Sequence, residues 1–445
     1  MAKDILLTLF YLVLFNFLIV RFGRLQFRNF KPFVTTVLFN LKFLTGIFIW
    51  VIYTFYYKDV QNNDVHKFYS DAVVLRNVAS ESPKDFIQII AGVGGKDSRF
   101  DKYYSEMKNW KRNFDEAPFN ENQTIIKLNA LLMFVSLRVY FVHILFMCFL
   151  SLIGWVLLTN AIMKFAVPVS TVFVLPVLLL PSVLFWTSGV MKEPVLVLGL
   201  GVFIAGLLNL GTRNSRQNMK ALSMLATGAF IIILIKFFVL VCLAPAVIAF
   251  LILRHNKNAF GIILKYVLVN MLLLVAAFNI HLFIPRMDLQ QMLVNKQMHS
   301  VKEANYFKAG SRIEIPALDN SAASIVETAP VGIWNTITRP YIWEGKNIMI
   351  MASAAENLLI GLFIIACIAF SDFKNLRQWN LFLFLLNFAL AYFALIGICT
   401  PVLGNLVRYR APILPVFLFA FILILKNSVG GSRKIHQYIS HGGTE

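Results

Sequence analysis

The chain has 445 residues, of which 58% are hydrophobic and 14% charged, where a soluble protein carries about 25% charged residues. With 42 Phe and a mean hydropathy of +0.71, it is excluded from the water-soluble globular class and from the disordered class, which needs low hydrophobicity. Lys and Arg number 41 against 22 acids, a net charge of +19, and where that charge sits decides what it means.

Apolar runs read against a hydrocarbon core roughly 30 Å thick fall at 5–20, 33–55, 139–160, 166–187, 192–210, 222–236, 237–253, 260–282, 350–371, 380–398 and 411–426. The expected fold is therefore all-α, a polytopic helical membrane protein of about eleven transmembrane helices forming a single domain over 1–445. A membrane β-barrel is excluded, because its strands alternate polar and apolar residues and these runs are apolar on every face. The run 5–20 is followed by Arg21, Arg24 and Arg28 with no small-residue cleavage site, so it reads as a retained anchor. The stretch 221–253 is too long for one span, and Lys236 and Pro245 divide it.

The short connections 21–31, 161–165, 211–220, 254–259, 372–379 and the tail 426–445 hold 15 Lys/Arg and two acids. The loop 57–138 holds 12 Lys/Arg and 11 acids, and the loop 283–349 seven and six. The surplus lies in the short connections, which the positive-inside rule makes cytoplasmic. Both long loops and the amino terminus then lie outside, and the carboxyl terminus inside. The basic balance is a topology signal, so no nucleic-acid partner is expected. Cys148, Cys242, Cys367 and Cys399 all lie in apolar runs without ligand spacing and read as buried small hydrophobes. Residues 124–138, apolar but carrying Lys127 and Arg138, read either as a membrane-surface helix or as the start of the next span.

Charge inside hydrocarbon is costly, so function should show as polar residues at span mouths. Four clusters answer that description. In YYKDVQNNDVHKFYSDA, residues 56–72, Asp59, Asp64, His66 and Asp71 crowd together. A carboxylate there suits a general base on an acceptor hydroxyl, or a divalent cation held against a phosphate. In PSVLFWTSGVMKEP, residues 181–194, Lys192 and Glu193 read as an adjacent ion pair at a hairpin tip, able to meet a phosphate and a sugar hydroxyl. In NTITRPYIWEGKN, residues 335–347, Arg339 and Glu344 flank Tyr341 and Trp343. An anion-binding fork beside aromatic platforms suits a sugar phosphate. Glu356 follows inside the next span. In TPVLGNLVRYRAP, residues 400–412, Arg408 and Arg410 fall on the outer side, against the charge trend, where guanidiniums suit a phosphate headgroup. Each cluster also has a structural reading: a solvated loop start, a tight turn, an interfacial aromatic anchor and a contact to anionic lipid heads.

The arrangement resembles the GT-C superfamily of membrane glycosyltransferases, whose long first outer loop carries a catalytic acid near its start followed by membrane-surface helices. Asp64 in NNDVHKFY matches that acid, and 124–138 matches the surface helix. The segments FWTSGVMKE, RPYIWE and RYRAP are similar to those of bacterial membrane proteins associated with polysaccharide assembly. The resemblance implies transfer of a sugar from a polyprenyl-phosphate-linked donor to an acceptor hydroxyl at the outer face of a bacterial inner membrane. Asp64 and Glu193 would be catalytic, and Lys192, Arg339, Glu344, Arg408 and Arg410 would bind substrate. The expected partners are a polyprenyl-linked sugar and membrane lipid. A divalent cation, Mg or Mn, stays open. So do two other classes: a polysaccharide polymerase of the Wzy type or an O-antigen-ligase-type enzyme using lipid-pyrophosphate donors, and a non-enzymatic transporter or assembly subunit.

Overall fold

The computed structural model describes residues 2–28, 30–57, 64–93, 97–110, 120–166, 172–211, 214–254, 256, 259–284, 288–345, 347–371, 373, 376 and 378–425. Among these, regular secondary structure is helical apart from two isolated bridges, Arg312 with Val402 and Ser371 with Leu425. Seven helices are long and apolar enough to cross a membrane: Ala2–Arg21, Pro32–Tyr56, Tyr140–Ile162, Ser215–Ile252, Ala259–Phe278, Ile348–Ala369 and Trp379–Cys399. An eighth is counted if Leu403–Arg410 and Leu414–Leu423, bent by 56°, form one broken span. The protein is a multi-pass helical membrane protein.

The eleven apolar runs thus do not each become one long helix, and backbone chemistry explains the differences. The described part of 166–187 forms only the short helices Val174–Leu178 and Pro181–Trp186. Pro181 starts the second of them, where its missing N–H costs nothing, but a proline inside a helix interrupts it. The run 192–210 becomes Glu193–Asn209, 17 residues. Ser215–Ile252 is broken at Lys236, whose φ of −155° and ψ of 86° are not helical. Pro412 lies where the pair 403–423 bends.

The chain divides into two compact units, Met1–Ala161 with Leu184–Phe237, and Ile162–Val183 with Phe238–Glu445. In the first, Asn40 Nδ2 donates to Asn16 Oδ1 at 2.9 Å and ties Ala2–Arg21 to Pro32–Tyr56. Phe15, Phe39 and Phe149 pack beside that bond. Tyr140–Ile162 and Glu193–Asn209 cross with Gly154 against Gly201, and a Cβ on Gly201 would run into the Gly154 carbonyl oxygen. Small residues of this kind let membrane helices approach backbone to backbone. The long loop forms helices Asp64–Glu81, Pro83–Ala91 and Glu121–Ser136. Glu121–Ser136 starts on Asn120, whose side chain accepts from Asn122 N. It ends at Leu137 and Arg138, both left-handed, with φ of 48° and 65°. Non-glycine residues there cost free energy. The corner is clamped by Tyr69 Oη, which donates to Arg138 O at 2.6 Å, and by Arg138 Nη2, which donates to Asn77 Oδ1 at 2.7 Å.

In the second unit, Ala322–Thr338 packs on Trp379–Cys399 through Gly332 and Gly397, where a Cβ on Gly397 would strike the Gly332 backbone. Trp379–Cys399 in turn meets Leu414–Leu423, with Phe393 and Phe417 rings 5.2 Å apart. Tyr266 Oη donates to Asn380 Oδ1 at 2.8 Å, and Asn387 Nδ2 to Asn270 Oδ1 at 3.0 Å, holding Ala259–Phe278 to the same helix. The outer face of Ala259–Phe278 stays apolar and exposed, with Phe260, Leu268 and Leu272 uncovered, as lipid-facing residues must be.

Candidate functional site

The sequence-predicted residues fall into two groups, one in each unit. In the first, Asp59 lies outside the described residues. Asp64 opens the helix Asp64–Glu81, and its side chain is likewise outside them. Phe68 follows one turn later and is buried. The Lys192 ammonium stands 5.4 Å from the Phe68 ring centroid, so the turn carrying Lys192 packs against the helix that Asp64 begins.

The adjacent ion pair expected at Lys192–Glu193 is corrected. Lys192 Nζ bonds instead to Glu121 Oε2 at 2.9 Å, and Lys236 Nζ lies 3.9 Å from Glu193 Oε1. Neighbouring residues point apart where a helix starts, so each finds its own partner. Both acids sit in the first turn of a helix, where the positive end of the dipole favours them. Both lysines sit on interrupted backbone. Nor is the tip exposed, since Thr187 through Glu193 are all buried.

What seals that turn is Lys42, which sequence reasoning missed. From within Pro32–Tyr56 its ammonium donates to Thr187 O at 2.8 Å, Thr187 Oγ1 at 2.7 Å and Ser188 Oγ at 3.2 Å. Ser151 Oγ donates to Thr187 O at 2.8 Å, and Cys148 Sγ to Ser188 O at 3.2 Å. Gly46 leaves the room, because a Cβ there would lie 2.6 Å from Ser188 O. A lone lysine within an otherwise apolar run was the available signal.

The other members of the 56–72 cluster hold the loop together. Asp71 is buried and accepts from the amides of Asn109 at 2.8 Å and Lys108 at 3.2 Å. Burial pushes its carboxyl above the ordinary carboxylate range, against the pull of those bonds. His66 Nε2 lies 3.0 Å from Thr54 Oγ1, and burial holds its imidazole below the usual histidine value. A depressed folded value means the stabilising contribution is complete above the ordinary histidine range and is lost as pH falls through the folded one. Acidification from pH 7 to about pH 5 should therefore lower the hydrogen-exchange protection factors of the helix Asp64–Glu81, taken after correction for the intrinsic slowing of amide exchange at lower pH. His66→Gln should flatten that dependence. Equal pH sensitivity in both proteins would exclude His66 as its source.

In the second unit, the geometry brings together Arg339, Glu344 and Arg410. Arg410 is 1% exposed. Its Nη1 donates to Thr336 O at 2.8 Å and to Arg339 O at 3.2 Å, so the guanidinium caps the carboxyl end of Ala322–Thr338. Its Nη2 donates to Asn357 Oδ1. Asn357 Nδ2 donates to the carbonyls of Thr338 and Pro340, each at 3.1 Å. Arg339 Nη1 lies 3.3 Å from Glu344 Oε1, and Glu344 Oε2 accepts from Tyr341 N at 2.8 Å. Glu356 is buried, accepts from Ser182 N at 2.7 Å and also from Ser182 Oγ, and lies within electrostatic reach of Arg410. Arg408 is buried on the same short helix as Arg410. The bridge from Arg312 to Val402, with Leu403 N donating to Ser311 O at 2.9 Å, fixes where that helix begins.

Two guanidinium N–H groups in this group, Arg339 Nε and Arg410 Nε, are buried and find no acceptor among the described residues. A buried donor left without an acceptor costs about 1–3 kcal/mol, and guanidinium N–H groups pair well with carboxylate and phosphate oxygens. Sequence reasoning missed Asn357, Glu121 and Lys236 as partners. Lys236 showed as a charge in an apolar run, whereas Asn357 and Glu121 gave no signal beyond their polarity. Among the described residues no group of three or more His, Cys, Asp or Glu is placed to hold a metal ion.

No family model, no curated protein and no solved structure matches the chain. The class defined by composition and fold, a multi-pass all-helical membrane protein, is where the comparisons leave it.

Proposed function

We propose that the protein is a membrane glycosyltransferase that moves a sugar from a polyprenyl-phosphate-linked donor to an acceptor hydroxyl at the outer face of a bacterial inner membrane. The observation that carries this reading is the group in the second unit: Arg339 and Arg410, each with a buried Nε–H that has no acceptor among the described residues, beside Glu344 and Glu356. Such a group suits a phosphate leaving with negative charge. The charge count keeps 57–138, 283–349 and the amino terminus outside. The reading keeps eleven crossings by counting Glu193–Asn209, the broken stretch 174–186, the bent pair Leu403–Arg410 with Leu414–Leu423, and the two parts of Ser215–Ile252 as one each.

In this reading Asp64 takes the proton of the acceptor hydroxyl, whose oxygen attacks the anomeric carbon. The bond from that carbon to the phosphate oxygen breaks, and the phosphate leaves with the electron pair. Arg339, Arg408 and Arg410 stabilise the phosphate. Lys192 and Glu121 orient the acceptor, and Glu193, sealed and paired with Lys236, holds the turn that carries Lys192.

The test is release of polyprenyl phosphate from a labelled lipid-linked sugar in proteoliposomes. Asp64→Asn should lower the rate about 10²–10⁴-fold, and Arg339→Gln about 10²–10³-fold, in protein that inserts and folds normally. Unchanged release in Asp64→Asn would remove that residue from the mechanism. A second reading, the polymerase or ligase that uses lipid pyrophosphate, is favoured by the guanidinium group itself, because such enzymes lean on arginines more than on an aspartate. It predicts greater sensitivity at Arg339 than at Asp64. Tolerance at both positions is the outcome expected of a transporter or assembly subunit.

A further inference from the structure

The segment 339–344 ends in an exposed aromatic ledge. Trp343 is 82% exposed, yet its ring is not loose. It stacks on Tyr341, with centroids 4.8 Å apart and planes 21° from parallel. Tyr341 is fixed in turn: its hydroxyl accepts from Trp334 Nε1 at 2.9 Å, and Thr338 Oγ1 lies 3.2 Å away. Its amide donates to Glu344, and Asn357 holds the carbonyls of Thr338 and Pro340 on either side of Arg339. The Arg339 guanidinium stands 5.4 Å from the Tyr341 ring and pairs with Glu344. One face of the Trp343 ring is therefore covered by Tyr341, and the loop beneath it is tied down at both ends.

We propose that Trp343 and Tyr341, with Arg339 and Glu344 at their edge, form a stacking subsite for one face of a neutral pyranose ring. A pyranose presents a face of C–H bonds and a rim of hydroxyls. The face suits the negative surface of an indole ring, and the rim suits a carboxylate and a guanidinium that keep hydrogen-bonding capacity. Glu344 spends two of about four lone-pair positions on Tyr341 N and Arg339. Arg339, its side chain 25% exposed, turns Nη1 to Glu344 and carries further guanidinium N–H donors. The rim carries one positive and one negative charge, so it has no preference for an acidic sugar. A ring already held flat loses little freedom on binding, which is how a small contact gains affinity. The alternative occupant is lipid, because Ile342 and Ile348 nearby are also exposed. An interfacial tryptophan, however, needs only a polar neighbour for its Nε1–H, whereas here the ring is aligned parallel to a second ring and edged by an ion pair. The subsite rests on the sugar-transfer reading for its role, but its existence is tested without any turnover.

The experiment uses the full chain in nanodiscs and takes Trp343 fluorescence as the difference between wild type and Trp343→Phe. The probes are neutral oligosaccharides of gluco, galacto and manno configuration, with a uronic-acid oligosaccharide for comparison. At a saturating, roughly millimolar concentration, a neutral sugar should reduce acrylamide quenching of Trp343 about twofold, and brominated lipid should quench it weakly. Trp343→Ala should abolish sugar binding measured by calorimetry, while Trp343→Tyr should retain part of it. Failure of every neutral sugar to protect the ring overturns the proposal, and strong quenching by brominated lipid would then identify the ledge as a membrane anchor. Preference for the uronic-acid probe overturns the neutral assignment. Sugar binding without any effect of Asp64→Asn or Arg339→Gln on transfer would leave the subsite standing and remove the transferase reading.

Discussion

Arg410→Met should destabilise the second unit by about 3–5 kcal/mol, the cost of breaking a buried charged network on one side. The substitution keeps the volume and removes every donor. The carbonyls of Thr336 and Arg339 and the Asn357 side chain lose their partner together, and Glu356 loses a positive charge that interacts with it. Arg410→Lys should recover only part of the loss, because an ammonium cannot reproduce a planar fork that serves a helix end and an amide at once. Unfolding of detergent-solubilised protein measures both. The double variant with Glu356→Gln should lose less than the sum of the single changes, since the two charges are coupled. Near-wild-type stability of Arg410→Met would show that the helix end does not depend on the guanidinium.

Gly201→Ala and Gly397→Ala should each destabilise by about 2–3 kcal/mol, and the leucine variants by more. In both places the added carbon meets backbone, the Gly154 carbonyl in one unit and the Gly332 carbonyl in the other. No side chain can rotate out of the way, so the helices must separate. Gly361 is the control. It lies in the helix Ile348–Ala369, and a Cβ there meets nothing within 4 Å. Gly361→Ala should be neutral or slightly stabilising, because alanine is the better helix former. Retention of monodisperse protein after a heating series, followed by size exclusion, ranks the variants. Equal behaviour of Gly201→Ala and Gly361→Ala would mean the close helix crossing carries little of the stability.

The membrane class was legible because hydrophobic run length is a one-dimensional property and the chain has it in abundance. The break at Lys236 was legible for the same reason: a charge in an apolar run of that length marks the place where a helix stops. The short helices within 172–186 were not, since apolar residues in a broken segment and in a continuous span look alike. Pro181 marks where the second helix starts, but what fixes the turn that follows is hydrogen bonding from elsewhere, such as the Lys42 ammonium on Thr187, 145 positions away in the chain. Site residues followed the same pattern. Arg339 and Glu344 lie close in sequence and meet in space. Lys192 and Glu193 are closer still in sequence but have partners at Glu121 and Lys236. Adjacency gave the wrong pairing there because two consecutive residues at a helix start project in different directions.

The buried turn at 187–192 bears on how the protein is made. The carbonyls and hydroxyls of Thr187 and Ser188 meet Lys42, Ser151 and Cys148, all from earlier parts of the chain. In hydrocarbon these groups would stand bare, at several kcal/mol apiece. The segment is therefore unsuited to leaving the translocon alone as a finished crossing. It has to be received by two earlier spans that are already in place, which makes biogenesis of the first unit ordered.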